Sequence, residues 1–242
     1  MVLNELVLLL KTADCAEKIN ERRDEIGKLI PAVKIMFDYD QQNHAHQFDL
    51  WMHSLNAVVN LPRDMEDDML YLAALFHDIG KPESRCGSNR PDDVNMHYYG
   101  HPNKSMEIVD SVIIPDLDRK GYEISCMDVK RLLYYVEYHD DHVNKKLKHL
   151  NRHLKMVTYE EFKNLMLLQV ADAKAHVQLP IIAERVEICS ALAGEEGEVF
   201  YQIHLEQVKR EEHLEECGFD RIHEKVIAWA ELPKPFIPNA KE

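Results

Sequence analysis

Residues 70–82 constrain this chain more than any other stretch, because an apolar helical run, Leu70-Tyr-Leu-Ala-Ala-Leu-Phe76, leads straight into His77, Asp78, Gly80, Lys81 and Pro82. The pattern predicts a helix that ends here, with Gly80 in the left-handed turn beyond a helix end and Pro82 preventing the helix from resuming. His77 and Asp78 would then be fixed by the packing behind them and open in front. A pair of metal ligands needs that placement if substrate is to reach the metal.

The rest of the chain is patterned around helices. Apolar residues recur at helical spacing from Asn4 to about Phe37, with breaks near Gly27 and Pro31, which predicts two helices packed on the core. Asp49 can cap a helix over 50–61 that Pro62 ends, and Asp64 with Asp67 resembles a capping box for a helix over 65–78. Residues 84–96 read as a loop of the length that often serves as a lid or binding loop. Pro102 suits the first turn of a helix that Pro115 stops, and Ser125 with Asp128 opens another that runs to about Asp140. Thr158 with Glu161 is the clearest capping box and starts a helix over 159–176 that contains Asp172. Residues 181–230 are helical again, broken at 194–197 and at Gly218, and a Pro-rich tail follows from Leu232. Strand-like alternation is nearly absent, so the expected class is all-α. The expected plan is one compact domain, with N-terminal helices over 1–40, a metal-binding region over 41–180, and C-terminal helices and tail over 181–242.

With 29 basic and 43 acidic residues the formal charge is -14, so the surface as a whole should repel a nucleic-acid backbone. The five cysteines, Cys15, Cys86, Cys126, Cys189 and Cys217, are scattered and form no Cys-x-x-Cys pair, as expected of reduced cytosolic thiols. No apolar run approaches the roughly 20 residues of a membrane span. The short 6–10 run follows Glu5 without the basic flank of a signal peptide. The expectation is a soluble cytoplasmic protein with no membrane partner and no general nucleic-acid binding; self-association is left open.

Fourteen histidines, not clustered at either terminus, direct attention to metal chemistry. His53, His77, Asp78 and Asp172 come from three predicted helices, each placed by a capping or stop signal, and helical bundles build metal sites this way. An apolar helix that ends in adjacent His and Asp carries a desolvation cost for both, and Asp172 amid Leu, Val and Ala carries the same cost elsewhere. One cation would relieve both. His101 and His139 could complete a second position, and two ions roughly 4 Å apart would clamp both oxygens of a phosphoryl displacement.

The order His53, His77-Asp78, Asp172 resembles the HD superfamily of metal-dependent phosphohydrolases. Further blocks extend the likeness: Gln42-Asn43-x-x-His46-x-x-Asp49-x-x-x-His53-Ser54, His77-Asp-Ile-Gly-Lys-Pro82, His97-Tyr-Tyr-Gly-His101, Tyr138-His-Asp140, and Phe162 through Ala-Asp172-Ala. Together these are similar to the HD region of bacterial tRNA nucleotidyltransferases and its stand-alone relatives, over residues 42–176. The resemblance implies an HD-domain helical bundle with additional N- and C-terminal helices. It implies His53, His77, Asp78 and Asp172 as core ligands, with His101 and His139 extending the site toward a second metal. The cofactor would be one or two divalent ions, Mn, Fe, Ni, Co or Zn. The opening segment lacks the Gly-rich, paired-carboxylate signature of nucleotide addition, Gly-Tyr-Pro is absent, and the 83–96 loop is longer than the family's usual link.

Asp78 and Lys81 are the expected catalytic groups, with Lys81 placed to contact phosphate oxygens as a point charge. His46 and Lys104 are the expected substrate contacts, with Asn43 as a further one. The basic stretch over 145–155 could draw in an anion or form a solvated face, and its His149 and His153 read as surface groups. The expected activity is a phosphomonoesterase or phosphodiesterase acting on a small phosphorylated compound of the nucleotide class. An HD-fold di-iron oxygenase and a non-catalytic regulatory module that binds metal or nucleotide are the alternatives.

Overall fold

Trp51, Tyr71, Phe76, Tyr135 and Phe162 are all fully buried, and the helices that carry them meet around one apolar core. The computed structural model describes residues 1–216 apart from positions 64, 89 and 91. The chain forms two units, Met1–Phe200 and Tyr201–Glu242, and the core and the site below belong to the first. The structure is all-α, with a single two-stranded ribbon among the described residues.

The N-terminal segment folds as α1 (Leu3–Thr12), α2 (Ala16–Asn20), α3 (Arg23–Leu29) and a 3-10 turn, Pro31–Met36, rather than as two helices. The chain turns between α1 and α2 and again before α3, which lets Leu6, Ile19 and Ile26 all reach the core. α4 (Leu50–Asn60) starts where Asp49 accepts a hydrogen bond from the Met52 amide at 2.7 Å. α5 (Asp68–Phe76) starts later than the expected 65. Its cap is Asp67, whose carboxylate also accepts from Tyr135 Oη at 2.7 Å and Asn164 Nδ2 at 3.1 Å, whereas Asp64 lies outside the described residues. A polar tether to two other helices therefore sets the start of α5.

Two expectations at the end of α5 are corrected. Gly80 has φ -80°, in the right-handed region, and the chain resumes as a short helix, α6 (Lys81–Ser84), with Pro82 in its first turn. Glycine is required here by close approach instead: a Cβ at Gly80 would lie 2.4 Å from the Ser105 amide nitrogen and 2.8 Å from the His101 carbonyl oxygen. β1 (Cys86–Gly87) and β2 (Met96–His97) form an antiparallel ribbon at the base of the expected 84–96 loop.

α7 (His101–Ile108) leads through a π-turn, Val109–Ile113, into α8 (Ile114–Arg119), so Pro115 does not stop the helix. The widened turn takes up the place where a proline ring would otherwise meet the carbonyl four residues back. α9 (Cys126–Tyr138) is capped by Ser125, whose Oγ accepts from the Asp128 amide. α10 (Leu147–Leu154) lies in the basic stretch. α11 (Tyr159–Ala175) opens on the expected reciprocal box between Thr158 and Glu161. α12 (Pro180–Ala193) and α13 (Glu195–Glu216) follow. Cys217, Gly218 and the Pro-rich tail lie outside the described residues. α11 packs against α4, α5 and α12, and α5 also packs against α4 and α9, which brings the C-terminal ends of α5, α9 and α11 together. Among the described residues no helix is long and apolar enough to cross a membrane.

Candidate metal centre

Residues far apart in the chain converge at these helix ends. His53 projects from α4, His77 and Asp78 follow α5, and Asp172 lies in the last turn of α11; all are buried. His53 Nε2 is 3.0 Å from Asp172 Oδ1 and 3.3 Å from Asp78 Oδ2, while His77 Nε2 is 3.2 Å from Asp78 Oδ2 and 3.5 Å from Asp172 Oδ1. The other oxygen of Asp78 faces a second group. Asp78 Oδ1 is 3.1 Å from Nε2 of His101, at the start of α7, and 3.5 Å from Nε2 of His139, just after α9. Asp78 is therefore shared between two clusters.

Hydrogen bonds from the far side of each ring set which nitrogen faces inward. The last carbonyls of a helix have no partner within it, and His77 Nδ1 donates to Ala74 O at 2.9 Å while His139 Nδ1 donates to Val136 O at 2.7 Å. His101 Nδ1 likewise donates to Tyr98 O at 2.8 Å. A carbonyl only accepts, so each Nδ1 carries a proton and each ring turns its Nε2 toward Asp78. His101 and His139 thus hold two lone pairs 3.2 Å apart, both facing a carboxylate oxygen. His77 Nε2 is fully buried and makes no hydrogen bond despite the nearby oxygens. The ligand atoms converge on common points, with His53 Nε2 and Asp172 Oδ1 also within hydrogen-bond distance of each other. Ligand atoms about 2 Å from one cation stand roughly 3–4 Å apart, which is the spacing seen, so the donor set fits one or more divalent ions. Within each cluster the donor atoms lie within 4.8 Å of one another, and the buried His and Asp residues could hold metal.

The charges show the same need. Burial opposes a charge on His77, but Asp78 and Asp172 outweigh it and push the imidazole up to about 10. Burial would raise both carboxyls, yet His77 and Lys81 hold Asp78, and His176, His53 and His77 hold Asp172, well below the usual carboxylate range. Burial lowers His139 and His176. The centre therefore keeps two buried carboxylates ionised against a charged His77 and Lys81, beside His139 and His176, whose burial opposes a charge. Imidazole and carboxylate together suit first-row divalent ions, and this cluster could hold a metal.

Lys81 is buried, and its ammonium reaches Asp78 Oδ2 at 2.7 Å, Gln41 Oε1 at 3.0 Å and His46 Nε2 at 3.4 Å. Its three N–H groups thus face three partners. His46 lies beside it, held down to about 2 by burial and by the Lys81 charge. Both line a cavity of about 310 Å³ that also exposes Asp78, Asp172, His101 and His139. Lys104 is placed elsewhere: it pairs with Glu107 at 3.0 Å and Glu83 at 3.4 Å and does not line the cavity. Asn43 shapes the adjoining turn, donating to Met96 O and accepting from the Ala45 amide.

Several residues of the site carried no signal singled out above. His176 lines the cavity, its ring 4.5 Å from that of His46 and 4.8 Å from that of His53. Its position four residues after Asp172 on a predicted helix was the usable cue. Arg185 of α12 donates to Asp140 Oδ1 and to His139 O, each at 2.8 Å, while Gln169 Nε2 donates to Tyr138 O at 2.9 Å and Asp141 O at 3.0 Å. Side chains from α11 and α12 thus satisfy the carbonyls at the end of α9 and fix the turn that presents His139. His153, expected at the surface, is buried with Nδ1 3.1 Å from Tyr134 Oη and Nε2 3.0 Å from Asp141 Oδ2.

No protein-family model matches this chain, and no curated protein matches it. The helical structure and the buried His/Asp cluster are compatible with an HD-type fold and with metal-dependent catalysis.

Proposed function

We propose that the protein is an HD-type metal-dependent phosphohydrolase acting on a small phosphorylated compound of the nucleotide class. The observation that carries this reading is the convergence of His53, His77, Asp78 and Asp172 on one buried point at the floor of an open cavity. In this reading those four side chains hold the first ion, and Asp78, His101 and His139 hold a second. When bound, such ions activate water as a nucleophile near neutral pH and neutralise the phosphoryl oxygens in the transition state.

The protein's own groups prepare that chemistry. Ala74, Val136 and Tyr98 carbonyls keep Nδ1 protonated on His77, His139 and His101, so no tautomer change is needed when an ion arrives. Lys81 keeps Asp78 ionised and oriented, and adds positive charge to the cavity wall. His46, neutral and in the same wall, accepts from Lys81 at Nε2 and helps hold that ammonium in place.

The test is phosphate release from p-nitrophenyl phosphate by the full chain loaded with manganese, nickel or cobalt, alongside metal analysis. Metal-dependent release that is abolished in Asp172→Ala supports the reading. Occupied sites with no hydrolysis overturn it, and iron with oxygen uptake would assign the same ligands to oxygen activation.

A further inference from the structure

We propose that Tyr99, backed by His97, is a binding subsite on which a flat ring of the substrate's leaving group lies; this rests on the phosphohydrolase reading. Tyr99 is 75% exposed, yet it lines the same cavity as Asp78, His101 and His139. The His97 ring lies parallel beside it, offset, with 4° between the planes and 5.3 Å between centroids. At 75% exposure much of the Tyr99 ring is left to take a second stacking partner.

The platform is held at its base. His97 Nε2 is 2.8 Å from Asp93 Oδ2, and the His97 backbone pairs with Cys86 in the ribbon. Met96 is fixed to the neighbouring turn through its amide, which donates to Gln42 O at 2.9 Å, and its carbonyl, which accepts from Asn43 Nδ2 at 2.9 Å. On the other side Tyr98 donates its hydroxyl to Gln41 O. Tyr99 therefore stands between anchored neighbours, and its rigid ring can take a stacking partner at little conformational cost.

Its distance from the reacting centre is also set by the chain. One residue, Gly100, separates Tyr99 from His101, which limits their backbones to about 7 Å apart, and it turns the chain between them at φ +75°. Tyr99, His101 and Asp78 line one cavity of about 310 Å³, so a ligand stacked on Tyr99 must span that cavity to place a phosphate at His101 and Asp78. A nucleoside 5′-monophosphate has that reach. Stacking reads the face of a ring and not its edge, so purine and pyrimidine both bind, the larger ring more tightly.

The experiment compares adenosine 5′-monophosphate with ribose 5-phosphate on the manganese-loaded full chain, by KM and by equilibrium titration. The nucleotide should be favoured by about tenfold or more, as expected of one stacked base. Tyr99→Phe should keep that ratio and Tyr99→Leu should bring it close to one, with melting temperatures confirming that both variants are folded. Equal KM and equal affinity for the two ligands in the wild type, or a ratio that survives Tyr99→Leu, overturns the proposal. If neither compound is turned over, the hydrolase reading fails separately; the titration ratio and its loss in Tyr99→Leu still support the subsite, and absence of the ratio overturns it.

Discussion

Two imidazole lone pairs that face each other across 3.2 Å beside a carboxylate cannot satisfy one another, and this is the arrangement of His101, His139 and Asp78. A proton or a metal ion must lie among them, and the Nδ1 contacts behind the rings leave both Nε2 atoms to take it. Lys81 supplies part of the compensation for the first cluster. Removing one partner of a buried charge pair costs about 3–5 kcal/mol, so Lys81→Met should lower the metal-free protein's unfolding free energy by roughly that amount. Manganese should restore much of it, because the ion takes over the charge of Asp78; urea titrations with chelator and with manganese measure both. The four residues His53, His77, Asp78 and Asp172 were legible in the sequence because each sits beside a cap or a stop and would be costly to bury alone. Gln41 and Arg185 were not, since a polar residue in a turn or on a helix face shows no partner until the fold supplies one.

At the level of elements, the centre depends on helix ends held by neighbours. The clamp of Arg185 on Asp140 and His139 O, with Gln169 on the adjoining carbonyls, acts in place of a local cap for α9. Loss of such an outer partner costs about 10–100-fold in metal affinity. Arg185→Ala should therefore weaken the position at His101 and His139 by about that factor and leave tighter binding at the other, read as unequal steps in a calorimetric manganese titration. Gly80→Ala addresses the seam between the His77–Gly80 turn and α7. The added methyl meets backbone at 2.4 Å, so we expect a loss near the upper end of about 1–3 kcal/mol, measured by thermal melting. The helix caps at Asp49, Ser125 and Thr158 could be read in advance because they are local chemistry. The persistence of helix through Pro115 could not, because it depends on a π-turn that local signals do not mark.

For the whole molecule, the all-α class followed from periodicity sustained over most of the length, while the depth of His153 did not, because its neighbours in sequence are basic. Burial outweighs Asp141 and keeps the His153 imidazole below its ordinary 6.5. The unfolded chain takes up a proton near that pH that the fold refuses, so this contribution to stability is complete above about pH 6.5 and is lost as pH falls below it. Urea midpoints at pH 7.5 and 5.5 should show the decline, and His153→Phe should make it shallower. Finally, Asp78 directs one oxygen to each cluster, so the two positions have a common hinge in a single side chain. If both positions take an ion, occupancy at one changes the affinity of the other, and by thermodynamic reciprocity the influence is equal in both directions. Such a centre would load its ions as a linked pair described by one coupling constant, and it would sense the cell's supply of metal more steeply or more shallowly than two separate ligand sets.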